Sequence, residues 1–152
     1  MFYSISRAIC ILFFKIIGCR IKVAGRNNIP NRGGFILASN HLSNIDPVVL
    51  GIVCRRRLNY MAKEELFRIP VLSWMIRHYG AFPVRRNTPD FRSIRQAIER
   101  LKSGCGLVVF PEGSRGVMQQ ENFKIHGGIA FLARRTDVPI VPAYIRLSLI
   151  HI

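Results

Sequence analysis

The sequence predicts an α/β domain, and three features carry that expectation. Residues 106–110, GLVVF, are apolar throughout at strand length, the pattern of an interior strand buried on both faces in a parallel-type sheet. Residues 89–103 place Phe91, Ile94, Ile98 and Leu101 at three- and four-residue steps, the spacing of an amphipathic helix. Strand-length and helix-length runs then alternate along the chain, which argues for α/β layering. At 152 residues the chain fits one domain, able to bury about 70% of its unfolded surface without staples.

The elements follow in order. Residues 2–18 are Phe-, Ile- and Leu-rich, with Ser4, Arg7, Ile11, Lys15 and Gly18 on one narrow helical strip. A spanning helix needs about 20 mostly uncharged residues. Two cations in a shorter stretch favour a helix lying in, or partly inserted into, a membrane surface. A core helix is the alternative reading; a signal peptide is the other, but CRIK at 19–22 is not a small-residue cleavage site. Residues 20–34 break into turn chemistry (Asn27-Asn28, Pro30, Gly33-Gly34). A strand is expected over 35–39. Asp46 then suits a helix cap with Pro47 at the first helical position, and this helix runs to about Cys54.

A short strand is expected over 58–62, a helical turn over 63–67 and a helix over 70–79, whose Leu72, Met75, Ile76 and Tyr79 stripe reads as core. Residues 80–86 form an extended run ending in Arg85-Arg86. The amphipathic helix follows, capped by Thr88 and closed by Gly104. After strand 106–110 come a loop-like stretch, a helix over 127–135 and a second buried strand over 139–145. The chain stops just after that strand, without a closing helix, which reads as a domain incomplete at its C-terminal end. The expected organisation is a membrane-associating helix over 1–19 and one folded domain over 20–152.

Composition narrows the partners. The chain is 49% hydrophobic, with 23 Lys and Arg against 8 Asp and Glu, a net charge of +15. Basic and apolar together suit an anionic membrane surface, where each cationic side chain gains about 1 kcal/mol. Charge alone would also suit nucleic acid, but no zinc-finger spacing, aromatic RNP string or long lysine run is present. The cysteines (Cys10, Cys19, Cys54, Cys105) form no C-x-x-C pair and no metal-ligand cluster. No structural metal or disulfide framework is expected, and no cysteine sits in a recognisable nucleophile context.

The chemistry centres on residues 40–47, NHLSNIDP. Histidine can take and return a proton near neutrality, and a carboxylate at Nδ1 would fix its tautomer and steady the imidazolium. Alone, His41 could as well end a strand and Asp46 cap a helix. Two further stretches weigh against coincidence. PEGSR, 111–115, sits at a strand's C-terminal end, where open α/β sheets bind ligands. Arg85-Arg86 ends another extended run. Arginine grips a phosphate monoester through paired hydrogen bonds, although a solvated basic loop would look the same.

These blocks resemble those of the PlsC-type glycerolipid acyltransferases, above all the branch that acylates 1-acylglycerol 3-phosphate. NHLSNIDP, GAFPVRR, FPEGSR and VPIVPAYI occur in that family's order, over residues 10–146. The resemblance implies a glycerol-3-phosphate acyltransferase-like fold, a mixed sheet flanked by helices. It implies His41 as general base toward the sn-2 hydroxyl of a lysophosphatidic acid, and Asp46 as its orienter. Arg86, Glu112, Gly113, Ser114 and Arg115, with Lys63, would bind the glycerol phosphate. Ser114 stands where threonine is commoner and keeps the hydroxyl; Arg85 stands where an acidic residue is frequent. The acyl donor would be acyl-CoA or acyl-carrier protein, with no cofactor, and the enzyme would sit at the cytoplasmic face of the cell membrane. The alternatives are a related acyltransferase with another lysolipid acceptor, or a truncated, inactive membrane-binding relative.

Overall fold

In a computed structural model of the chain, the described residues are 2–16, 21–85, 90–111 and 128–146. Strands β1 (Phe35–Ser39), β2 (Leu58–Lys63), β3 (Ala81–Val84), β4 (Gly106–Val109) and β5 (Ile140–Ala143) form one sheet in the order β3-β2-β4-β1-β5. The helices are α1 (Phe2–Ile16), α2 (Asp46–Val53), α3 (Pro70–His78), α4 (Phe91–Lys102) and α5 (Gly128–Thr136). A short 3-10 turn at Glu64–Arg68 separates β2 from α3.

Every pairing among these strands is parallel, so the expected mixed sheet is corrected to a parallel one over the described residues. The reason is connectivity. Each of β1 to β4 is followed by a helix before the next strand, and a helical crossover returns the chain in the same direction. β1 and β4 are central, and successive residues serve opposite faces. Phe35 and Leu37 pack with Leu50, Cys54, Leu58 and Val108 on the α2 side. Ile36 packs with Phe82, Ala97, Leu101, Leu107 and Leu132 on the side of α4 and α5. Phe35 lies opposite Gly106, and a Cβ there would meet the Phe35 ring at 2.5 Å, so only glycine fits.

Four local expectations change. Among the described residues β5 is an edge strand, not a second buried one: it pairs there only with β1, and Ile140 is 44% exposed. Edge strands are where Pro142 and, in β3, Pro83 are tolerated, because a missing N–H costs least there. The α3 stripe is only partly core. Of its four residues Met75 is exposed, Leu72, Ile76 and Tyr79 are half-buried, and Ile76 packs against the central cluster. Helix α4 is capped by Asp90, whose carboxylate accepts from the Ser93 amide; Thr88 lies outside the described residues. Its buried face runs through Ser93, Ala97 and Leu101, with Phe91 exposed at its start.

No helix among the described residues is long and apolar enough to cross a membrane. Helix α1 packs on α2, and its Arg7 guanidinium donates twice to the Ile52 carbonyl (3.1 and 2.7 Å) near α2's C-terminal end, satisfying an orphan acceptor. Arg7 is thereby drawn to the protein, and Ile5, Ile9, Leu12, Phe13 and Ile16 are left exposed.

Candidate active site

Parallel pairing gathers the strands' C-terminal ends at one edge, which is where open α/β sheets bind ligands. There β1 leads into Asn40 and His41, β2 ends in Lys63, β3 leads to Arg85, β4 leads into Phe110 and Pro111, and β5 into Tyr144 and Ile145.

Asn40 fixes the exit of β1. Its buried side chain donates Nδ2–H to the Ile145 carbonyl (2.9 Å) and accepts from the Ile145 amide (2.7 Å). The pair acts as one more rung beyond the Ser39–Ala143 register, made by a side chain where the backbones diverge. Nothing in the sequence announced this partner; an asparagine at a strand end is an ordinary turn residue.

Asp46 organises the loop that follows. It is fully buried, and its Oδ2 accepts from three donors: His41 Nδ1 (3.0 Å), the Leu42 amide (2.6 Å) and the Ser43 amide (2.7 Å). Its Oδ1 has no hydrogen-bond partner among the described residues. Sequence reasoning expected Asp46 to cap α2. Instead Ile45 is the cap, and Asp46 is the first helical residue with Pro47 beside it. The carboxylate points back into the preceding loop, where the Leu42 and Ser43 amides take it as their acceptor. A charged acceptor also strengthens each of these bonds.

A carboxylate only accepts, so His41 Nδ1 carries the hydrogen and Nε2 is left with its lone pair. The His41 side chain is 12% exposed, enough for a substrate atom to reach it. Its ring stacks on Phe110, centroids 4.0 Å apart and planes 18° apart. The pair expected from sequence is therefore assembled, with an aromatic wall that was quoted in a motif but given no role.

The expected phosphate-binding residues divide. Arg86, Glu112, Gly113, Ser114 and Arg115 lie outside the described residues. Lys63 is at the right edge, at the end of β2, but half exposed and 3.5 Å from the Glu65 carboxylate rather than beside His41. Arg85 is engaged otherwise. Its guanidinium bonds Glu64 (2.8 and 3.3 Å), which raises its pKa, and its amide donates to Asp90 (2.8 Å). That amide, with those of Ser93 and Arg92, holds the Asp90 carboxyl below its usual range. Arg85, the departure from the family's acidic habit, thus finds its acid in Glu64. Cys54 is buried against the sheet, and burial pushes its thiol up, away from the thiolate a nucleophile needs.

A parallel sheet that presents a histidine oriented by a buried carboxylate at its ligand-binding edge is an α/β domain built for proton transfer. The chain belongs to the Acyltransferase family, whose sequence profile matches residues 20–146. It is 33% identical over 124 residues to the 1-acyl-sn-glycerol-3-phosphate acyltransferase of Bacillus subtilis, covering 81% of this chain and 61% of that protein. It is 33% identical over 145 residues to the protein of the same name from Streptococcus pneumoniae, covering 93% of this chain and 53% of that one. Among solved structures, the 1-acyl-sn-glycerophosphate (LPA) acyltransferase PlsC from Thermotoga maritima superposes with a TM-score of 0.61 at 34% identity, over 78% of this chain and 47% of that one. The chain therefore spans about half the length of the relatives it matches.

Proposed function

We propose that the protein transfers a fatty acyl group from a thioester, acyl-CoA or acyl-carrier protein, to the sn-2 hydroxyl of 1-acylglycerol 3-phosphate, giving phosphatidic acid for phospholipid synthesis. The observation that carries the reading is the 3.0 Å bond between His41 Nδ1 and the buried Asp46 carboxylate, which leaves Nε2 as a base. The names of the relatives above support the choice of acceptor and of acyl chemistry.

In this mechanism His41 Nε2 takes the proton of the sn-2 hydroxyl as its oxygen attacks the thioester carbonyl. The imidazolium is held by Asp46 through Nδ1. The tetrahedral adduct then collapses, the C–S bond breaks, and the leaving thiolate takes its proton from Nε2. The acceptor is itself the nucleophile, so no acyl-enzyme forms and no cofactor is consumed. Catalysis rests on positioning and proton transfer. Arg86, Glu112, Gly113, Ser114 and Arg115 are assigned to the glycerol phosphate. Lys63 joins them if the incoming phosphate displaces Glu65, a weak surface partner.

Helix α1 is assigned to the cytoplasmic leaflet, where the acceptor resides. Its exposed apolar face and the chain's +15 charge support this, the first by burial among acyl chains and the second by attraction to anionic headgroups. The test is turnover by the purified full-length protein with labelled acyl-CoA and lysophosphatidic acid. H41A should lose all but a trace of activity, and wild-type turnover by H41A would remove the mechanism. A panel of lysolipids, with lysophosphatidic acid expected first, separates this acceptor from its relatives. Vesicle binding without turnover on any acceptor would instead mark a membrane-binding relative.

A further inference from the structure

We propose that Phe110 is a positioning residue for His41: its ring fixes the plane of the imidazole so that Nε2 points along one line toward the acceptor hydroxyl. This rests on His41 being the base. The hydrogen bond to Asp46 pins only one edge of the imidazole, at Nδ1. A ring held at one edge can still swing about that bond. The stacked Phe110 ring, 4.0 Å away and 18° from coplanar, removes the swing.

Phe110 is itself placed by the sheet and not by a loop. β4 pairs with β1 in parallel, with Ala38 opposite Val109, so the residue after Val109 emerges beside the exit of β1 that carries His41. Pro111 follows, and a residue before proline is biased to extended backbone. Both features favour an extended chain at Phe110 as it leaves β4. The ring packs against the central cluster, and the residue borders a 130 Å³ apolar hollow with Ile94, Ile129 and Leu132. Removing the ring thus has a packing cost as well, and the test must separate the two.

Phe110→Leu keeps an apolar side chain and loses the flat face. We expect kcat to fall roughly 10- to 100-fold, the scale of a ~1 Å misplacement, with KM for lysophosphatidic acid changed by less than about twofold. Phe110→Tyr keeps the face and should retain kcat within about threefold, which a mere stability defect in the leucine variant would not explain. In the H41A background, Phe110→Leu should leave the residual rate unchanged within about twofold, because the ring acts through the imidazole. Nuclear magnetic resonance of the protein in micelles supplies an independent readout. The His41 ring protons lie over an aromatic face and should move downfield in Phe110→Leu but not in Phe110→Tyr. Unchanged kcat in Phe110→Leu would overturn the inference. So would a loss of equal size in the H41A background, or a loss expressed in KM alone. If H41A is inactive and Phe110→Leu is silent, only this inference falls. If H41A turns over normally, the base assignment falls first.

Discussion

Replacing Asp46 with asparagine is the sharpest test of the site, because it removes a charge and keeps a shape. Asp46 Oδ2 holds His41 Nδ1 at 3.0 Å and the amides of Leu42 and Ser43 at 2.6 and 2.7 Å. The asparagine carbonyl can occupy the Oδ2 position and accept all three bonds, so the loop should keep its course. What disappears is the anion facing an imidazole that becomes cationic during the reaction. With charge centres about 4–5 Å apart and an effective dielectric near 20, full protonation of His41 gains about 4 kcal/mol from that anion. If half of that gain is realised at the transition state, D46N slows turnover roughly 30-fold; if nearly all is, roughly 1,000-fold. The assay is kcat and KM from labelled acyl transfer to lysophosphatidic acid, with thermal melting to confirm the fold. KM should hardly move, since Asp46 is fully buried and the substrate cannot touch it. A kcat within about threefold of wild type, or a defect confined to KM, would refute the electrostatic role.

Other outcomes follow from the same geometry. Asn40→Ala leaves the Ile145 amide and carbonyl unpaired in a buried site, a loss of about 2–4 kcal/mol, read as a fall in melting temperature of roughly 5–15 °C. Asp90→Ala removes the cap of α4 and should cost about 1 kcal/mol in denaturant unfolding. Because the folded-state pKa of Asp90 is depressed, its contribution is present above the ordinary value of 3.8 and is lost as pH falls below it through the folded value. The destabilisation by Asp90→Ala should therefore shrink in melts taken at successively lower pH in that window. Leu12→Asp and Phe13→Asp alter exposed side chains of α1 and should each weaken sedimentation with anionic phospholipid vesicles more than about tenfold, while thermal stability holds.

Most of the fold was legible because its signals are local. The run FILAS has strand length and no polar residue to spare, and it forms β1 over the expected residues. GLVVF gives β4, one residue shorter, because Pro111 forbids the ladder from continuing cleanly past Phe110. What failed was strand environment. PIVPAYI and GLVVF look equally apolar, yet one is an edge and the other central, since burial depends on neighbours that the run itself does not name. The α3 stripe misled for the same reason: apolar spacing marks one face of a helix, but nothing in it says whether that face meets the core. The capping of α2 was misjudged because Asp-Pro fits a helix start by propensity, whereas the Leu42 and Ser43 amides compete for the same carboxylate and win it.

The site was legible in its chemistry and hidden in its assembly. His41 and Asp46 lie within one turn of chain, so their meeting could be expected from spacing. Phe110 lies far along the sequence, and its contact with His41 exists only because β4 inserts between β1 and β2. Had the strands paired in chain order, β2 would neighbour β1, and Lys63, not Phe110, would emerge beside the base. The crossover also sets which strand ends neighbour one another along the edge. Pro111 leaves β4 next to the histidine, and Arg85 leaves β3 two strands further out. At about 4.8 Å per strand, that separates the two residues by roughly 10 Å where they leave the sheet.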